Sequence, residues 1–83
     1  MALYYFHLRD GADRVLDPEG RQLDGPDAIA RAALVEARGI MSVDIASGAL
    51  AFDHAIEVED AGGTVVHRLD FADAVTIRWP AAR

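Results

Sequence analysis

The stretch from Pro26 to about Ser47, PDAIARAALVEARGIMSVDIAS, constrains the fold of this chain more than any other. Asp24 or Gly25 can cap it, Pro26 fits a first turn that needs no N–H, and Asp27 complements the positive end of the dipole. Gly48 suits the C′ position that ends a helix. At 1.5 Å per residue such a helix is about 31 Å long, whereas a seven-residue strand spans about 23 Å. It must overhang any sheet that so short a chain can build. Its wheel is the second constraint. Asp27, Arg31, Arg38 and Ser42 share a sector of about 60°, and most other positions are apolar. Ile29, Ala33, Ile40 and Val43 lie on one side, Leu34, Ala37 and Met41 on another. Covering one sheet face needs an apolar stripe only somewhat wider than about 100°. The surplus predicts a second cover.

The flanking segments read as strands. In residues 3–9, Tyr4, Phe6 and Leu8 point to one face, and Leu3, Tyr5, His7 and Arg9 to the other. The first set is the cleaner apolar one and is expected to face the helix. His7 then becomes a rim residue on a half-wet face. Asp10-Gly11 suits a tight turn into a short strand around Arg14-Val15-Leu16, and Asp17-Pro18-Glu19-Gly20 reads as a type I turn. After the helix, Ile56 to Glu59 alternates at period two, Asp60-Ala61-Gly62-Gly63 turns, and Thr64 to Phe71 returns. A type I turn with Gly63 as a G1 bulge would set Val58 opposite Val66 and Glu57 opposite His67. Val75 to Trp79 is a further short strand ended by Pro80. The expected fold is α+β, ββαββ: an antiparallel sheet of about four strands with one long helix across one face. Residues 1–83 form a single small domain, with 77–83 a loosely ordered tail.

A chain of eighty-three residues has a thin core, burying roughly 60–65% of its unfolded surface. It has no cysteine to staple that core or to supply a thiolate ligand. A second molecule is the expected cover for the helix: a homodimer is favoured, and a place as a subunit of a larger complex with another protein is the alternative. The candidate interface is the small-residue stripe Ala28, Ala32, Gly39 and Ala46 with Val35, Glu36 and Val43, joined by Leu3 and Tyr5 from the mixed sheet face. Gly39 would admit a close helix or backbone, which accounts for a residue that costs about 1 kcal/mol within a helix. Glu36, set among Ile29, Ile40 and Val43, reads as a buried structural carboxylate held by an arginine or a tyrosine hydroxyl at an interface.

The net charge is −6, from fourteen acidic and eight basic residues, every base an arginine. That balance repels a phosphate backbone and disfavours nucleic acid and anionic membranes. No apolar run approaches the ~18 residues of a membrane span. Met1-Ala2-Leu3 leads directly into a strand without a basic leader, so the expected location is the cytoplasm.

Motifs for chemistry are sparse. His7, His54 and His67 lack the H-x-x-x-H or H-E-x-x-H spacing of a metal site. They read instead as a strand residue, a loop tip and a cross-strand partner of Glu57. Asp10, Asp13 and Asp17 lack the calcium-loop pattern and are what turns require. No nucleophile elbow occurs, and Gly62-Gly63 is not a phosphate loop. No catalytic residue, cofactor or metal is assigned.

Taken in order, Tyr4-Tyr5-Phe6-His7-Leu8, Asp10-Gly11, the Asp17-x-Glu19-Gly20 turn, the alanine-rich helix, the hairpin Ile56 to Gly63 and Phe71-Ala72-Asp73-Ala74-Val75 form a specific series. The chain resembles a bacterial family of short stand-alone proteins opening Tyr-Phe-Phe-His, the domain of unknown function 6894 type. It departs from that pattern at Tyr5, where members carry phenylalanine, and in its Arg78-Trp79-Pro80 extension. The resemblance implies a compact fold and no catalytic residue. The leading expectation is therefore a non-enzymatic module that self-associates through its helix. The alternatives are a small-ligand or metal-dependent enzyme using Glu36 and His7, and a nucleic-acid-associated regulator with an arginine patch built by assembly.

Overall fold

A computed structural model describes residues 1–81. Strand β1 (Ala2–Asp10) turns at Gly11 into β2 (Asp13–Val15), and β3 (Arg21–Leu23) follows a short connection. Helix α1 (Pro26–Ala46) comes next, then the hairpin β4 (His54–Asp60) and β5 (Val65–Asp70), closed by a 3₁₀ turn at Phe71–Asp73. The sheet is antiparallel throughout, in the order β2-β1-β4-β5, and β3 also pairs with β1. The α+β class with one long helix is as expected, and the described residues form five strands. β2 pairs with Leu8–Asp10 and β3 with Ala2–Tyr4, both on the edge of β1 away from β4, so the sheet is four strands wide. A three-residue strand with one half-buried polar flank carries too little alternation to be seen in sequence.

The helix runs as its caps dictate, with Gly25 at the N-cap, Pro26 in the first turn and Gly48 at positive φ after Ser47. Ile29, Ala33, Ala37 and Met41 form its buried stripe. The methyl side chains of Ala33 and Ala37, both fully buried, let the helix lie close on Phe6, Ile56 and Val58. Tyr4 and Leu8 pack at the margin of that core, so the helix-facing set in β1 is Tyr4, Phe6 and Leu8, as its alternation indicates. Phe71 and Ala74, carried beneath the helix by the 3₁₀ turn, complete the core. Val75 to Trp79 is not a strand: these residues have no regular structure. Proline cannot donate to a ladder, and the 3₁₀ turn has already carried the chain off the sheet. Residues 82 and 83 of the expected tail lie outside the described residues.

The β4–β5 register corrects the one read from sequence. Glu59 lies opposite Val65, in step with the expected turn, and Gly63 takes positive φ. An irregularity then falls between Val58 and Glu59, which leaves Val66 over and shifts every later pair by one. Val58 therefore faces His67, and Glu57 faces Arg68. A bulge reverses which side chains share a face. Here it moves His67 to the helix side and brings Arg68 to the side of Glu57.

Candidate functional site

Polar side chains collect on the sheet face away from the helix. Glu57 and Glu59 project there from β4, His7 and Arg9 from β1, Arg14 from β2, and Arg68 and Asp70 from β5. Arg9 donates to Glu57 Oε1 at 3.2 Å and Arg68 Nη1 to Glu57 Oε2 at 2.8 Å, while Arg14 Nε lies 3.6 Å from the same carboxylate. Arg14 also donates to Glu59, and Arg68 to Asp70. Glu57 is thus a buried carboxylate enclosed by three guanidinium groups, which offset the cost of its desolvation. The hydrogen bond from Arg14, above all, holds the Glu59 carboxyl below its ordinary range against the opposing effect of desolvation. Hydrogen bonds to Glu57 and Asp70 and their negative charges raise Arg68 against its desolvation, the bond to Asp70 contributing most.

His7 is not a rim residue. It is 5% exposed, because the connection between β2 and β3 folds across the outer face of β1. The Asp17 N–H donates to His7 Nδ1 at 3.0 Å, so the ring proton sits on Nε2 and is donated to Glu59 Oε1 at 3.2 Å. Tyr5 stacks parallel to the ring, with centroids 6.2 Å apart. Asp17 does more than turn the chain. Its Oδ2 accepts the Phe6 N–H at 3.1 Å, in the gap that β2 and β3 leave along β1. Its Oδ1 accepts from Glu19 and Gly20. Burial raises the Asp17 pKa, but these three N–H donors and Arg21 outweigh it and the net shift is downward.

The other sequence candidates separate. His54 is not at a loop tip: it opens β4, its Nε2 lies 3.0 Å from Asp10 Oδ1, and its ring meets Phe71 edge-on. His67 is half-buried on the helix side, opposite Val58 and not Glu57. Asp10, Asp13 and Asp17 diverge into a contact with His54, a strand pairing and a turn. Among the described residues no three His, Cys, Asp or Glu side chains converge as metal ligands would. Glu36 is only half-buried; Arg21, lying over the Phe6 ring, donates to it at 3.1 Å. Glu36 is on the helix side and His7 on the far side of the sheet, so the two do not meet. Arg9, Arg14 and Arg68 are each matched by a carboxylate and leave no basic patch there.

The helix surface carries the remaining candidates. Val35 and Val43 are 70% and 71% exposed, one turn either side of Gly39, and with Ile40 they border a shallow depression of about 500 Å³. Ala46 is exposed on the same flank, while Ala28 and Ala32 are half-buried. Leu3 and Tyr5 are half-buried on the opposite side of the sheet, against Gly20, and share no surface with the helix stripe. Sequence reading did not find the charge lattice. Its signal was the Glu57, Glu59 alternation beside His7 and Arg9, legible only once β1 and β4 are known to be neighbours.

A family model described as a domain of unknown function, DUF6894, matches residues 3–72. The chain belongs to this family. Neither a curated protein nor a solved structure matches it significantly. The DUF6894 match spans the sheet and the helix and ends within the 3₁₀ turn, so Val75, Ile77 and Trp79 lie beyond it. No helix among the described residues is long and apolar enough to cross a membrane.

Proposed function

We propose that this DUF6894 protein is a non-enzymatic interaction module that self-associates through the outer flank of α1. One observation carries the reading. Gly39 stands in the middle of a 21-residue helix at ordinary negative φ, and a Cβ added there would meet, beyond the adjacent backbone of its own helix, no atom of the described residues within 4 Å. Nothing among the described residues requires a glycine that costs about 1 kcal/mol in a helix. A second helix crossing at Gly39 gives it a purpose, because the missing side chain lets backbones approach. Val35 and Val43 then supply the apolar surface on either side. The non-enzymatic part draws support from His7, whose two ring nitrogens are both engaged, and from the separation of Glu36 from His7.

Sedimentation equilibrium tests the reading. A dimer is expected at tens of micromolar, and Gly39→Ala is expected to raise the thermal stability of the fold while weakening association. A strict monomer at high micromolar concentration overturns the proposal, as does a Gly39→Ala variant that associates as tightly as the parent.

A further inference from the structure

A second apolar surface lies on the opposite flank of the helix. Met41 and Ile45 of α1, Leu50 and Phe52 of the following connection, and Ile77 and Trp79 of the C-terminal segment enclose a groove of about 640 Å³. That falls within the range of roughly 300–1,000 Å³ typical of small-molecule sites, which are mostly apolar with a few placed polar groups. Ile45 and Trp79 are 61% and 82% exposed, so the walls are formed but uncovered. The polar lining is Arg38, Ser42 and Thr76. Arg38 Nε donates to the Ala74 carbonyl at 2.8 Å, which ties the C-terminal segment to the helix and fixes the guanidinium at the groove. Among the described residues its terminal nitrogens have no carboxylate partner.

Charge decides the occupant. The chain carries fourteen acidic side chains, yet none of the described residues lining this groove is acidic. An apolar trough with one fixed cation, in a molecule of net charge −6, complements an apolar body with a single anionic head. We infer that the groove binds an acyl or aryl carboxylate, its body on Phe52, Ile77 and Trp79 and its head group on the Arg38 guanidinium. This does not depend on the self-association reading, which uses the Val35–Val43 flank. The groove also needs residues beyond the family match, so it is a property of this chain and not of the matched domain alone.

Trp79 is the only tryptophan, so its emission reports the groove directly. Titrating sodium decanoate, below its micelle concentration, into the full chain is expected to give a saturable blue shift. Decanol, with the same body and no charge, is expected to bind about tenfold more weakly, the value of one charge-assisted contact. Arg38→Gln should lower decanoate affinity to that of decanol and leave decanol unchanged. Ile45→Glu, at an exposed position where the fold tolerates it, should abolish the decanoate shift while circular dichroism is unaltered. No saturable shift, equal affinity for acid and alcohol, or an unaffected Ile45→Glu variant overturns the inference. Loss of both ligands in Arg38→Gln assigns Arg38 to anchoring the segment and also overturns it. A blue shift that grows with protein concentration without decanoate makes a second copy the occupant, with the same consequence.

Discussion

At the scale of single residues, Asp17 explains why His7 is buried on the outer face of β1. Asp17 closes the gap in the β1 edge with one oxygen, holds its own turn with the other, and donates its N–H to His7. Its pKa in the fold lies below the unfolded value of 3.8, so its contribution to stability is present above that value and is lost as pH falls through the lower folded one. Asp17→Asn cannot accept on both oxygens and should cost about 1–3 kcal/mol at neutral pH. The gap between variant and parent should narrow under acid as the parent loses its carboxylate. Denaturant melts from pH 7 to pH 2 check this; a constant gap would show that the charge of Asp17 is immaterial. Glycines give a paired test. Gly20 has φ of 71°, and an added Cβ would lie 2.9 Å from the Tyr4 carbonyl oxygen. Gly20→Ala should therefore destabilise by more than about 1 kcal/mol, opposite in sign to Gly39→Ala.

Among the elements, the 3₁₀ turn matters beyond its three residues. Phe71 is fully buried between α1 and the sheet, and His54 leans on its edge. Phe71→Ala should cost about 3–5 kcal/mol and lower Tm substantially, through lost burial and the cavity left behind. A small loss would mean that Leu50 or Phe52 collapses into the space. The bulge at Val66 acts on electrostatics instead. By moving Arg68 opposite Glu57 it places the third guanidinium on a buried carboxylate. The turn with Gly63, the alternation of Ile56 to Glu59 and the helix with its closing Gly48 were legible in the sequence, whereas His54 at the start of β4 was not. The bulge was not, because one residue inserted into a run of Val-Val leaves the alternation of apolar and polar residues ambiguous.

For the molecule as a whole, the uncovered apolar positions Val35 and Val43 coexist with a net charge of −6. Two copies repel each other through that charge, and salt screens the repulsion over about 8 Å at 0.15 M. If the interface is apolar, self-association should tighten between 0.02 M and 0.3 M salt. The double variant Val35→Glu with Val43→Glu should be monomeric at every salt concentration while its circular dichroism is unchanged. Association that weakens with salt would mean that ion pairs hold the copies together.

The sequence by itself determined the α+β class, the helix and its caps, the faces of β1 and the excess of apolar helix surface. Each of these follows from local periodicity and turn chemistry, which a single chain states openly. Tertiary structure alone decided the split edge strand, the burial of His7, the three arginines around Glu57 and the distance between Glu36 and His7. Those depend on which strands are neighbours and in what register. A one-residue bulge or a loop folding over a sheet changes such relations without leaving a mark on composition or spacing.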